Sequence, residues 1–137
     1  MELEHTAIWT HQIESLRDFY ERYFGATANE KYTSEKGEKG RFESYFLTFD
    51  TGARLELMTL PVIPRGDNAG GHESIGLTHI AFSVETPAHL DLLYDRLKAD
   101  GIVIAGEPRI TGDGYYEACV LDPDGNRVEI TVTPGNL

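Results

Sequence analysis

Residues 78–83, Thr-His-Ile-Ala-Phe-Ser, decide the fold because an earlier stretch of the chain resembles them. Residues 4–9 read Glu-His-Thr-Ala-Ile-Trp, and aligning the two stretches places histidine on histidine and alanine on alanine at an offset of 74. Both stretches read as β-strands. Similarity at a fixed offset is typical of a chain built from repeated supersecondary units, so the same offset should recur elsewhere.

A second pair of stretches repeats at almost the same offset. Residues 52–57 and 125–130 align at an offset of 73, with glycine, arginine and glutamate matching. Two independent blocks that agree within one residue make chance similarity an unlikely explanation. The chain therefore contains two copies of one unit, over about 1–59 and 77–133, joined by a linker around 60–76 that contains glycine and proline.

Each copy has the same predicted order of elements. Strand 4–10 precedes a helix over 12–24, and strand 78–84 precedes a second helix with Thr86 as N-cap and Pro87 at its first position. Three strands follow each helix, at 26–33, 43–50 and 53–59 in the first copy and at 102–107, 115–122 and 126–133 in the second. This order predicts an α+β fold of two tandem βαβββ modules, forming a curved mixed sheet with helices on the outside.

Length and charge bound the functions that the chain can have. The 137 residues suit one domain over 1–137, and a formal net charge of −11 disfavours nucleic-acid partners, whose binding depends on lysine and arginine. No apolar run is long enough to span a membrane. The start of the chain, residues 1–4, is acidic where a secretory signal is basic, and a single cysteine excludes an internal disulfide. We therefore expect a cytoplasmic protein with no membrane partner.

Strand alternation places chemically active residues on one face of the predicted sheet. In strands 53–59 and 126–133, leucine, valine and isoleucine alternate with residues that include Glu56 and Glu129, and the opposite face also takes His5 and His79. A solvated sheet face is the ordinary explanation for such residues. The two copies, however, carry histidine and glutamate at equivalent positions, and two imidazoles with two carboxylates suit a divalent transition metal. The sequence therefore predicts a metal site, with Zn or Ni favoured and Fe, Co or Mn possible.

Other residues are candidates for the wall of a substrate pocket. Trp9, Met58, Arg54 and Arg127 share the predicted ligand face, where they either line a pocket or form packing and ion-pair contacts. The glycine-rich stretch 109–116 contains two further candidates, Arg109 and Tyr115. It is either a mobile lid or, as we favour, a plain connecting loop. Cys119 lies among apolar residues and is expected to be a buried, inert thiol.

The residues that carry these inferences resemble the vicinal oxygen chelate superfamily, which includes glyoxalase I, bleomycin-resistance proteins and extradiol dioxygenases. The resemblance covers about 4–133 and rests on His5, Glu56, residues 79–84 and residues 122–130. The order His, Glu, His, Glu is most similar to glyoxalase I. That resemblance implies metal ligation by all four residues, with Glu129 or Glu56 leaving the metal to act as the catalytic base.

The resemblance also implies partners and limits. A small-molecule substrate and a homodimer are typical of such proteins. Glyoxalase I typically has an arginine four residues after the first ligand, where it holds a glutathione carboxylate. Trp9 occupies that position here, which argues against glutathione as the cosubstrate.

Three classes of function stay open at this point. The first is a metal-dependent lyase or isomerase that promotes proton transfer on a small, metal-chelating oxygenated substrate. The second is a protein of the bleomycin-resistance kind, which would bind and sequester a cationic small molecule on its acidic surface. The third is a scaffold that has lost its chemistry.

Overall fold

The structure is a computed structural model, which describes residues 3–64 and 77–137. The chain divides into two compact units, Met1–Asp67 and Asn68–Leu137, and the described residues of each form one α-helix and one sheet. Most of the predicted linker lies outside the described residues. None of the helices in the described residues is long and apolar enough to cross a membrane.

The first module consists of one helix and one mixed sheet. Its helix, α1, spans Ile13–Phe24, and its strands are β1 (His5–Trp9), β2 (Thr27–Ala28), β3 (Tyr32–Glu35), β4 (Arg41–Thr48) and β5 (Arg54–Thr59). The sheet order is β1-β5-β4-β2, and β3 also pairs with β4. Strands β1 and β5 are parallel, whereas the other pairings are antiparallel.

The first module is held together by the apolar side of α1 against its sheet. Leu16 and Tyr20 of the helix are fully buried, as is Leu57 of β5. The apolar residues recur at helical spacing, so they form one stripe that packs on β4 and β5. The helix ends at Gly25, whose φ of 67° is the left-handed conformation that glycine adopts without a steric cost.

The second module repeats this arrangement. Its strands are β6 (His79–Ser83), β7 (Ile104–Ile110), β8 (Tyr116–Leu121) and β9 (Arg127–Val132), and its helix, α2, spans Pro87–Ala99. The sheet order is β6-β9-β8-β7, with β6 and β9 parallel. Leu90 and Leu97 of α2 are fully buried, like Val128 and Ile130 of β9.

These observations confirm the α+β fold with two βαβββ-type modules, each with its own mixed sheet and a helix on one sheet face. The first module departs from the prediction at 26–33, where β2 and β3 replace a single strand. Asn29 lies between them, and its side-chain oxygen accepts a hydrogen bond from the backbone N–H of Phe46 at 2.8 Å. The Asn29 N–H still donates to the Phe46 carbonyl at 3.1 Å, but its side chain replaces its backbone carbonyl as the acceptor, so regular pairing ends here and resumes at Tyr32.

The second module departs from the prediction after residue 107. Strand β7 continues through Pro108 to Ile110, with register shifts on either side of Gly106. Arg109 and Ile110 therefore belong to a strand rather than to a loop over 109–116. The remaining turn is closed by hydrogen bonds from the Thr111 N–H to the Tyr115 carbonyl at 2.8 Å and from the Gly114 N–H to the Thr111 carbonyl at 3.0 Å. This favours a tight hairpin over a mobile lid.

Candidate functional site

The first module places His5 beside Glu56 on the sheet face opposite α1. Parallel pairing of β1 with β5 puts Ala7 level with Glu56, and His5 is two residues earlier on the same face. The Nε2 atom of His5 lies 3.8 Å from Oε2 of Glu56. Both side chains are partly exposed, at 39% and 16%, so solvent or a ligand reaches them.

A second carboxylate, that of Glu4, determines which nitrogen of His5 is available to bind a metal. Nδ1 of His5 is hydrogen-bonded to Glu4, whose Oε1 also accepts a hydrogen bond from Nε of Arg54 at 2.8 Å. The hydrogen bond from His5, and next the one from Arg54, lowers the pKa of Glu4. A carboxylate only accepts hydrogen bonds, so Nδ1 of His5 carries a hydrogen, and Nε2 is the nitrogen that a neutral ring would offer to a metal.

The second module repeats the pair with His79 and Glu129. Strand β6 is parallel to β9, Ala81 is level with Glu129, and Nδ1 of His79 lies 3.3 Å from Oε1 of Glu129. The two side chains are 41% and 20% exposed. The position equivalent to Glu4 is Thr78, so this histidine lacks a counterpart of the Glu4 contact.

The four residues fit a divalent transition metal by their chemistry. Each module contributes one imidazole and one carboxylate, both partly exposed and close enough to share an ion. Among the described residues, no group of three or more histidine, cysteine, aspartate or glutamate side chains could hold a metal. Each module therefore supplies two of the predicted ligands, and neither supplies a complete site.

A concave pocket of about 350 Å³ lies on the same face of the second module as Glu129. It is lined by residues 105–109 of β7 and by Glu117, Cys119, Arg127 and Glu129 of β8 and β9. Of the predicted pocket residues in this module, Arg109 lines it, whereas Tyr115 lies in the adjoining turn and is not among its described lining residues. Trp9 and Met58 lie on the corresponding face of the first module, with Trp9 44% exposed.

The two lining residues of β8, Glu117 and Cys119, were not predicted as pocket residues from the sequence. Cys119 pairs directly with Glu129 across β8 and β9, so both side chains project from one face. Burial of Cys119 is confirmed at 6% exposure, and that burial raises the pKa of its thiol, which is therefore protonated at neutral pH. The sequence signal for this placement is the alternation along β8. Ala118 and Val120 face the helix, so Glu117 and Cys119 lie on the opposite face.

Aromatic residues of β4 were also missed. Phe46 is level with Glu56, and its ring makes an edge contact with the ring of His5 at 5.4 Å between centroids. Arg54 lies over the Phe46 ring at 4.2 Å. Trp9 contacts Phe42 in the same edge-on manner at 6.1 Å. The ligand face of the first module is thus largely aromatic around its histidine and glutamate.

The fold and these residues define a protein of two βαβββ modules, each with a histidine–glutamate pair on its exposed sheet face. A family model described as the Glyoxalase/Bleomycin resistance protein/Dioxygenase superfamily matches residues 2–130, and the chain belongs to that superfamily. A search of curated proteins found no match.

Solved structures with the same fold include a lactoylglutathione lyase, a glyoxalase I and a possible glyoxalase. The lactoylglutathione lyase from Agrobacterium tumefaciens is 21% identical over 96% of this chain and 92% of its own, with a TM-score of 0.67. A trypanothione-dependent glyoxalase I from Leishmania major is 22% identical over 95% and 85%, with a TM-score of 0.71. A possible glyoxalase from Bacillus cereus is 23% identical over 95% and 97%, with a TM-score of 0.66. At these identities, the comparison shows a shared fold and no more.

Proposed function

We propose that the chain is a metal-dependent lyase or isomerase of the glyoxalase I type, and that its metal is held by His5, Glu56, His79 and Glu129. The observation that carries this proposal is the repeated placement of one imidazole beside one carboxylate, with N–O distances of 3.8 and 3.3 Å. Two nitrogen and two carboxylate donors suit Zn²⁺ or Ni²⁺, and also Fe²⁺, Co²⁺ or Mn²⁺.

The four residues have two roles in this proposal: they bind the metal, and one of the carboxylates accepts a proton from the substrate. A bound divalent ion would act as a Lewis acid that polarises two adjacent oxygen atoms of a substrate. His5 is oriented by Glu4, so its Nε2 lone pair is preset for ligation. Glu129 and Glu56 are carboxylates on partly exposed strand faces, and either one can accept a proton from the carbon beside those oxygens. The reaction class is therefore proton transfer next to a carbonyl.

The substrate is proposed to be a small oxygenated molecule, used without glutathione. Trp9 replaces a guanidinium with an exposed indole, which cannot make the paired hydrogen bonds that hold a carboxylate. An isomerisation assay on thiohemiacetals formed with several thiols tests this point directly. Turnover restricted to the glutathione adduct would contradict it.

Metal analysis of the purified protein is the first experiment. We expect stoichiometric divalent metal in the wild type and a large loss of metal in Glu129→Gln, because the amide oxygen is a weaker ligand than the carboxylate. Glu85→Gln is the control, since this exposed glutamate of the same module lies outside the pocket lining. Unchanged metal content and turnover in Glu129→Gln would contradict the proposal, and a metal-free protein that binds a cationic drug would support sequestration instead.

A mixing experiment tests how the pairs are combined. We propose a homodimer, in which the first pair of one chain and the second pair of the same or the other chain supply one metal. His5→Ala and His79→Ala each remove one ligand. If mixing these variants restores metal binding, ligands from two chains make up the site, and if it does not, the ligands belong to a single chain.

A further inference from the structure

Arg127 differs from the other charged side chains that line the pocket of the second module, because each of those lies close to a side chain that can carry the opposite charge. Glu117 pairs with Arg109 at 3.0 Å, Glu107 lies 3.9 Å from Lys98, and Glu129 lies 3.3 Å from His79. Within residues 3–64 and 77–137, no carboxylate oxygen lies within 4.0 Å of the Arg127 guanidinium. Its polar contact is with the thiol of Cys119, so the positive charge is not neutralised by that partner.

The first module contains the equivalent arginine in a different setting. Arg54 aligns with Arg127, but its guanidinium is paired with Glu4 and lies over the ring of Phe46. The positions that correspond to these two partners in the second module are Thr78 and Cys119. Neither residue provides an anion or an aromatic face, so the partners that occupy Arg54 have no counterpart at Arg127.

We propose that Arg127 binds an oxyanion group of the substrate, a carboxylate or a phosphate, inside this pocket. The planar guanidinium presents paired N–H donors that match two oxygen atoms of such a group. Hydrogen bonds to charged groups are strong where water is partly excluded, and the concave pocket provides that setting. At its end of the pocket, the positive charge of the guanidinium favours an anionic group over a cationic one.

The position of Arg127 also orients what it binds. Arg127 and Glu129 project from the same face of β9 two residues apart, a separation of about 7 Å along the strand. A small acid held at Arg127 would therefore extend toward Glu129. This inference deepens the proposed function, on which it rests, because it assigns an anionic substrate class to the same site.

The binding test uses metal-free protein and two probes, malonate and inorganic phosphate. Each is titrated while the Nε–H NMR resonance of Arg127 is followed, with assignment by its loss in Arg127→Gln. We expect saturable movement of this resonance, and we expect Arg127→Gln to weaken affinity by about tenfold or more. Arg127→Lys should retain part of the affinity, since it keeps the charge and loses the planar donor pair. The probe that binds more tightly distinguishes carboxylate from phosphate.

The matched control is Arg41→Gln, which removes an exposed guanidinium of the first module that pairs with Glu43 at 3.4 Å, away from the predicted ligands. It should leave malonate and phosphate affinity unchanged, and the backbone amide spectrum of each variant confirms that it is folded. The proposal is overturned if neither probe saturates the Arg127 resonance. Equal weakening by Arg41→Gln and Arg127→Gln would also overturn it, since the effect would then be one of net charge.

Metal content, measured on the same variants, separates the two proposals. Arg127→Gln should keep wild-type metal stoichiometry while losing oxyanion affinity. Oxyanion binding in a protein that takes up no metal would leave Arg127 as an anion site and contradict the metal-dependent function. Normal metal uptake without oxyanion binding would contradict the role of Arg127 and leave the metal-dependent function in place.

Discussion

Glu4 accepts a hydrogen bond from Nδ1 of His5, and Nε2, on the other side of the ring, lies 3.8 Å from Oε2 of Glu56. Such a carboxylate behind a histidine ligand fixes the tautomer of the ring and raises its basicity. The same carboxylate pairs with Arg54, which anchors it to β5. The N-terminal strand of the first module thus carries both a predicted ligand and the group that positions it.

Replacing Glu4 with glutamine should lower metal affinity without removing any ligand. Losing a carboxylate partner of this kind typically costs about 10- to 100-fold in metal affinity. Competition with a chromophoric chelator measures the change. Thr78→Ala, at the equivalent position of the second module, should leave affinity unchanged, and an equal loss in both variants would contradict the role assigned to Glu4.

A second prediction concerns the hydroxyl of Tyr116, which donates a hydrogen bond to Asp91 at 2.6 Å. That bond, together with burial and the negative charge of Asp91, raises the pKa of Tyr116 to about 12. At a pH between the ordinary tyrosine pKa of about 10 and this value, Tyr116 keeps its hydroxyl proton in the folded state and loses it in the unfolded state. The stabilisation is therefore fully present below pH 10 and is lost as the pH rises through about 12.

NMR titration of the tyrosine ring carbons measures this pKa. In Asp91→Asn the pKa of Tyr116 should fall toward its usual range, because the carboxylate charge is gone. Identical titration of Tyr116 in the wild type and in Asp91→Asn would contradict the assignment.

Repetition made most of the fold predictable, because each module could be checked against the other. Residues around Asn29 escaped the prediction for a physical reason. Strand propensity over 26–33 does not reveal that the side chain of Asn29 replaces a backbone acceptor opposite Phe46. Likewise, the strand predicted over 102–107 stops before Pro108, whereas β7 continues through this proline beside a register shift.

The candidate site was predictable only in part. Alternation on β5 and β9 predicted that Glu56 and Glu129 lie on the faces opposite the helices, and the structure places them there. The pocket residues Glu117 and Cys119 required the register of β8 against β9, which pairing determines and a single strand does not. Whether Arg127 has an ion-pair partner depends on distances between side chains, which no pattern encodes.

The start of α2 provides a third prediction. Thr86 is the N-cap of this helix, and its hydroxyl oxygen accepts a hydrogen bond from the backbone N–H of His89 at 3.3 Å. Thr86→Ala removes that acceptor and should lower the free energy of unfolding by about 1 kcal/mol, as typical N-caps do. Urea denaturation followed by circular dichroism measures the loss. Thr86→Ser keeps the oxygen and should stay close to wild type, whereas equal destabilisation in both variants would assign the effect to the lost methyl group.

The turn between β8 and β9 depends on Asp122, whose side chain is 4% exposed. Its carboxylate accepts hydrogen bonds from the backbone N–H groups of Asp124 and Asn126, both at 2.9 Å, and from Nδ2 of Asn126 at 2.8 Å. Asp122→Ala leaves these donors without their acceptor and should lower the free energy of unfolding by about 2 kcal/mol or more. The turn also sets the register that brings Cys119 level with Glu129, so the amide signals of both residues should shift.

Asp50→Ala is the matched control, because Asp50 is the exposed aspartate of the corresponding turn in the first module and its loss should lower the free energy of unfolding by less. Equal destabilisation by the two variants would contradict the role given to the buried carboxylate.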